Sequence, residues 1–275
     1  MRFLVVGGDL RQYYIAQSLK TSGHLTDVFG LDKTDLEQTT IDKIKNTKYD
    51  AVILPMPLSL DQIHLNCPLN SYKLVITELL NSLNNTKIFG GIINEKFLKP
   101  INHNTLIDFT KDEELLLENA QLTTEGALLT AIQNTNRAIY KSNCLCVGYG
   151  RIGKSLSQAL NTLGANVTVS ARKATDLKAI CKNGMTQILT SEIDIYINKF
   201  DIIFNTVPAR VINDEALKHC KNDVTIIELA SAPFGFDRET ANSLKLNTIY
   251  APSLPGKYSP KSAGEIILKT IFKNI

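Results

Sequence analysis

Short apolar runs alternate with longer stretches of helical spacing along the whole chain. Residues 3–7 form an apolar run that ends in Gly7-Gly8-Asp9. From Arg11 to Thr21, Tyr14, Ile15, Ser18 and Leu19 fall on one side of a helix. Further runs at 26–30, 51–54, 87–89 and 107–109 predict four more strands, two of them stopped by Pro55-Met56-Pro57 and Gly90-Gly91. Strands that are apolar throughout and separated by helical segments predict a parallel sheet with helices on both faces. From 112 to 140 the spacing turns helical, with Leu115, Leu116, Ala120, Ala127, Leu128, Ala131 and Ile132 on one period only if it breaks near Thr123-Thr124. That predicts two helices, the second opening at a threonine cap. The alternation then resumes, with strands at 144–147, 166–170, 201–206, 224–229 and 248–250 and helices between them, notably at 153–163 and 215–219. A last helix, 262–272, has Ser262 and Glu265 at capping-box spacing.

The predicted fold class is therefore α/β: two domains, each a mostly parallel sheet with helices on both faces. The division is placed at 1–115 and 116–275. In this architecture a C-terminal helix such as 262–275 often returns to pack on the first domain. The length of 275 residues suits two domains. Lys and Arg number 30 against 27 Asp and Glu, a net charge of +3, too small and too dispersed for a nucleic-acid binder. No apolar run approaches the ~18 residues of a membrane span, and residues 1–7 read as a strand and turn rather than a leader. The expected location is cytoplasmic. Five scattered cysteines make neither a disulfide framework nor a metal site.

The chemistry concentrates at Gly148-Tyr149-Gly150-Arg151-Ile152-Gly153. This G-x-G-x-x-G follows an apolar strand and opens a helix, the context that makes it a Rossmann dinucleotide fingerprint. Gly148 serves the tight turn, Gly150 the approach of a pyrophosphate, and Gly153 close helix–strand packing. The pyrophosphate meets the amides and positive end of the helix. An NAD enzyme keeps an acid at the end of the next strand to hold the ribose 2′-hydroxyl. This chain has Ser170-Ala171-Arg172-Lys173 there, donors and cations that suit the 2′-phosphate of NADP. Asn205, Thr206, Val207 and Pro208 end the following strand, where such folds border the ribose and nicotinamide. The ends of the last two strands, 228–233 and 251–260, are expected around nicotinamide and substrate, with Ser231 and Lys257 on the substrate side.

Several of these segments together resemble the dipicolinate synthase A-subunit family. They are Gly7-Gly8-Asp9-Leu10-Arg11, Thr124-Glu125-Gly126-Ala127, the fingerprint with Ser170-Ala171-Arg172, Glu228-Leu229-Ala230-Ser231, and the stretch from Leu254-Pro255-Gly256-Lys257 to Gly264. The resemblance spans nearly the whole chain. It implies a sporulation enzyme of the mother cell, working with a flavoprotein-like B-subunit. That enzyme converts a tetrahydrodipicolinate-type intermediate of the lysine pathway to dipicolinate and hands a hydride to NADP. A cyclic dicarboxylate needs cations or helix N-termini. Arg11, Lys257 and the amides at Thr123 and Thr124 are the candidates, with Glu125 as candidate catalytic acid or base. The alternatives are another two-domain NAD(P)-dependent amino-acid or hydroxy-acid dehydrogenase, or a cofactor-binding scaffold protein. The first would usually carry a His with an acid partner, and His24, His64, His103 and His219 have no motif around them. Whether the chain forms a homo-oligomer stays open.

Overall fold

The structure is a computed structural model that describes residues 1–97 and 103–275. It divides into two compact units, residues 1–119 with 255–275, and residues 120–254.

Unit 1 runs β1 Arg2–Val6, α1 Leu10–Thr21, β2 Leu25–Phe29, α2 Ile41–Lys45, β3 Ala51–Ile53, α3 Ile76–Asn81, β4 Lys87–Gly90 and β5 Thr105–Asp108. Its five strands are ordered β2-β1-β3-β4-β5, and every neighbouring pair is parallel. Successive residues of a strand point to opposite faces. Phe3 and Val5 of β1 accordingly join one core cluster and Leu4 and Val6 another, so both faces of the sheet are buried. The strand order reverses between β1 and β3, and ligands of open α/β sheets bind at such a switch point, outside the carboxyl ends of the strands.

A single 22-residue helix follows, α4 Glu113–Asn134. The expected break at Thr123-Thr124 does not occur. Both threonines are buried mid-helix, and the Thr124 hydroxyl donates to Ser155 Oγ at 2.7 Å. Tertiary contact thus overrides their preference for a cap. The boundary between the units falls inside this helix, at Asn119/Ala120.

Unit 2 continues with β6 Asn143–Val147, α5 Arg151–Thr162, β7 Asn166–Ala171, α6 Ala174–Lys182, β8 Thr186–Leu189, α7 Ile193–Tyr196, β9 Ile202–Asn205, α8 Asp214–Lys218, β10 Thr225–Glu228, α9 Arg238–Ser243 and β11 Asn247–Tyr250. Its sheet has the order β11-β10-β9-β6-β7-β8, all parallel. Counted from β6, that is 3-2-1-4-5-6, the doubly wound dinucleotide-binding order. The strand β8 has no counterpart in the apolar pattern. It is an edge strand in which only Ile188 is buried, so it needs no apolar run.

The chain ends with α10 Leu254–Tyr258 and α11 Pro260–Phe272. The C-terminal segment belongs to unit 1 rather than to the nucleotide-binding unit. The helix starts at Pro260, whose missing N–H is no loss in a first turn, so Ser262 lies inside it and no Ser262–Glu265 box forms. Ile267, Leu268 and Ile271 enter the same core cluster as Phe3, Val5 and Ile15. At Gly264 a Cβ would sit 2.9 Å from the Arg11 carbonyl, so this glycine sets the close approach of α11 to α1. Ile271 is fully buried. Ile271→Ala should cost unit 1 about 2–5 kcal/mol, read as a lower urea midpoint at unchanged slope. A midpoint within error of the parent would contradict the packing described.

Candidate nucleotide-binding and substrate-facing sites

The three fingerprint glycines are distinguished by what surrounds them. Gly148 has φ +96°, a backbone that L side chains avoid, and it turns the chain off β6. A Cβ on Gly153 would lie 2.2 Å from the Gly148 carbonyl oxygen, so only glycine lets α5 lie this close to the turn. A Cβ on Gly150 would meet nothing within 4 Å. Gly150 is also the N-cap of α5 and offers no side chain to its first turn. Open space above the positive end of a helix is the cradle that a pyrophosphate requires. The residues between the glycines shape its rim. Tyr149 takes a hydrogen bond from Asn183 at 3.2 Å and lies under the Lys154 ammonium, while Arg151 is exposed and Ile152 half-buried.

One register row marks the carboxyl edge of this sheet: Ser170, Val147, Asn205, Glu228 and Tyr250 are aligned across β7, β6, β9, β10 and β11. Ser170 is completely buried, and its Oγ faces the Gly148 amide at 3.4 Å. The same amide donates to the Ser170 carbonyl at 3.1 Å, so the hydroxyl faces the glycine turn. Arg172 and Lys173 are exposed just beyond the strand. Arg172 lines a surface cavity of about 390 Å³ with Leu189, Thr190, Ser191 and Val211.

Asn205 is also completely buried. Its Nδ2 donates to Glu228 Oε1 at 2.7 Å and to the Val207 carbonyl at 2.9 Å, and its Oδ1 accepts from the Val207 amide at 3.2 Å. Its amide is thus committed to the loop and not to a ligand. Thr206 Oγ1 donates to the Val147 carbonyl at 2.8 Å, while Val207 is half-buried and Pro208 exposed. Sequence reasoning gives Glu228, 1% exposed, no role of its own, because it reads as the ordinary end of a strand. Burial pushes its carboxyl above the usual range, and the bonds from Gly235, Asn205 and Ala230 offset this in part. Its signals in the sequence are an acid near the end of the apolar run 224–229 and its place in the segment Glu228-Leu229-Ala230-Ser231.

In unit 1 two distant segments meet. Asp9 caps α1 by accepting from the Arg11 amide at 3.0 Å, and its carboxylate holds Arg11 Nε at 2.9 Å and Nη2 at 2.8 Å. Arg11 Nη2 also donates to the Met56 carbonyl. Gly256 faces this pair, since a Cβ there would lie 2.7 Å from Asp9 Oδ2 and 3.1 Å from Arg11 Nε. The opening Gly-Gly-Asp-x-Arg and the closing Pro-Gly-Lys are therefore two sides of one cluster at the switch point. Arg11 is 5% exposed, so its pairing with Asp9 is a buried fork and not a surface contact. Lys257 is exposed in the last turn of α10, its ammonium 4.8 Å over the Tyr258 ring.

Three further expectations are placed as follows. Thr123 and Thr124 lie inside α4, where their amides belong to the helix ladder, so they do not form an anion-binding N-terminus. Glu125 is exposed at mid-helix, away from any first turn. Ser231 is exposed on the turn after β10. Histidine–acid pairs do exist, which the sequence does not reveal. His64 Nδ1 lies 2.7 Å from Asp61 Oδ2 on the loop after β3, and His219 Nε2 lies 3.8 Å from Glu215 on exposed α8. The backbone and side chain of His64, with the Ile63 amide, hold the Asp61 carboxyl well below its usual range, so Asp61 organises that loop. His219 precedes β10 and sits at the edge opposite the fingerprint. Among the described residues no group of His, Cys, Asp and Glu is placed to hold a metal ion, and no helix is long and apolar enough to cross a membrane.

Comparison with known proteins bears directly on both units. Residues 2–108 match the N-terminal domain of the dipicolinate synthase A-subunit, and residues 115–251 match the D-isomer specific 2-hydroxyacid dehydrogenase NAD binding domain. The second match supports an oxidoreductase with a nicotinamide cofactor. The dipicolinate synthase A-subunit of Bacillus subtilis is 29% identical over 99% of this chain and 95% of its own length. The crystal structure of the A-subunit from Bacillus halodurans superposes with a TM-score of 0.89 at 27% identity, over 99% of this chain and 97% of that one. A Salmonella D-lactate dehydrogenase shares the fold alone, with a TM-score of 0.63 at 13% identity over 100% and 96% of the two chains. The segments that carry the resemblance in sequence thus coincide with a whole-length similarity, in sequence and in structure, to the dipicolinate synthase A-subunits of two Bacillus species.

Proposed function

We propose that the chain is an NADP-linked oxidoreductase that forms dipicolinate from a tetrahydrodipicolinate-type ring bearing a hydroxyl group. The observation that carries this reading is the open space at Gly150 above the start of α5, followed after β7 by two cations, Arg172 and Lys173, where an acid would favour NAD. The ring reaches dipicolinate by losing one water and two hydrogens, one as hydride and one as a proton. When bound, NADP would supply the acceptor for the hydride. The protein's own part is to hold the dinucleotide by the α5 amides and the 2′-phosphate by Arg172. In unit 1, Arg11 and Lys257 are the cations assigned to the carboxylates of the substrate. The family name implies an enzyme of more than one kind of chain. We assign the partner role to a flavoprotein-like B-subunit and the setting to the mother-cell cytoplasm during sporulation.

The test is turnover. The purified chain, alone and with its B-subunit, is given the hydroxylated tetrahydro ring and NADP. Absorbance of reduced nicotinamide should rise in a one-to-one ratio with dipicolinate formed. No reduced cofactor with either NADP or NAD, with the B-subunit present, would overturn the reading.

A further inference from the structure

Glu228 does not end its strand as a solvated carboxylate. It is 1% exposed and takes three hydrogen bonds, one from the end of β9 and two from the loop after β10. Oε1 accepts from Asn205 Nδ2 at 2.7 Å and from the Ala230 amide at 3.0 Å, and Oε2 accepts from the Gly235 amide at 2.8 Å. The two loops joined in this way are stitched again by backbone bonds. Leu229 donates to the Asn205 carbonyl at 2.9 Å, and Val211 and Ile212 donate to the Gly235 carbonyl at 3.0 and 2.9 Å. Gly235 completes the joint, because a Cβ there would strike the Asn205 side-chain amide at 2.3 Å. The loops after β9 and β10 are therefore one body with the carboxylate at its centre. Their tips, Pro208 to Arg210 and Ser231 to Pro233, are exposed.

A buried carboxylate costs free energy unless its bonds are good, and an apolar residue would hold two strand ends together at less cost. What the carboxylate adds is direction, since it fixes two amides and one side chain at set angles. We propose that Glu228 is a positioning residue for the nicotinamide half of the dinucleotide, holding the loops after β9 and β10 at a fixed separation at the carboxyl edge of the sheet. This rests on the nicotinamide-cofactor reading above. Glu228 acts through Asn205 and Gly235 and does not itself touch the cofactor. The adenine half is held elsewhere, by the fingerprint and Arg172, so the two halves of the ligand should respond differently.

The experiment titrates the full chain with NADP and, separately, with adenosine 2′,5′-bisphosphate, which lacks the nicotinamide half. Glu228→Gln keeps the shape and removes the charge, and it sets an amide N–H against an N–H donor. It should weaken NADP about tenfold, the scale of one charged hydrogen bond, and leave the bisphosphate unchanged. Gly235→Ala displaces the same joint with the carboxylate intact and should give the same selective loss, which keeps the test open should Glu228→Gln not fold. Equal weakening of both ligands means a merely structural role and overturns the assignment, as does no weakening of either. If the parent protein binds neither ligand, the cofactor reading itself fails and Glu228 falls with it.

Discussion

Gly153→Val should weaken dinucleotide binding by unit 2 roughly a hundredfold or more. The first atom of the new side chain would stand 2.2 Å from the Gly148 carbonyl oxygen and 2.9 Å from its carbon. Both are backbone atoms of a turn already fixed at φ +96°, so neither can move aside cheaply. Helix α5 must lift off the turn, and its first amides then no longer converge on one point. Loss of that convergence is worth at least about 3 kcal/mol, roughly a hundredfold or more in the dissociation constant. Gly150→Ala separates the binding effect from damage to the fold. Its methyl group meets nothing in the protein, and its backbone, φ −78° and ψ −165°, suits alanine. Stability should therefore change by no more than about 1 kcal/mol, since the N-cap preference for glycine over alanine is opposed by alanine's smaller loss of chain entropy, while the methyl occupies the space assigned to the pyrophosphate. Titration calorimetry with a parallel melting curve should show weak binding in both variants and a lowered melting temperature only for Gly153→Val. Normal affinity in Gly150→Ala would contradict the cradle.

Arg172→Ala should weaken NADP by about 1–3 kcal/mol, roughly 5- to 150-fold, and leave NAD unchanged. Ser170 is completely buried, so the NADP proposal assigns the 2′-phosphate to the two exposed cations beyond β7. Arg172 is the stronger of the two because a guanidinium meets phosphate with two parallel donors and an ammonium meets it as a point charge. It also lines the cavity formed with Leu189, Thr190, Ser191 and Val211. Comparing the two dissociation constants in parent and variant decides the matter. Equal losses for NAD and NADP would show that Arg172 serves the fold or the shared part of the ligand.

Both sheets are legible from the sequence because their interior strands are buried on two faces and so read as continuous apolar runs. The edge strand β8 escapes because only Ile188 of its four residues is buried. The fingerprint is legible because its glycines do work that only backbone can do. Continuity of α4 is not, because Thr123 and Thr124 carry a local preference for a cap that contact with Ser155 overrides. The same limit applies to charged groups. That Gly256, some 245 positions along the chain, packs against the Asp9–Arg11 fork is something no local pattern announces. Glu228 escapes because its meaning lies in partners at Asn205 and Gly235 and not in its own neighbours. The histidine–acid pair His64–Asp61 likewise emerges only when the loop is folded.

A crystal structure of the chain grown with NADP and dipicolinate tests the central claim most directly. The account predicts the pyrophosphate over Gly150 at the amides opening α5, and the 2′-phosphate within hydrogen-bond distance of Arg172. Ordered NADP bound away from the 148–153 turn, or a 2′-phosphate with no contact to Arg172, would contradict it.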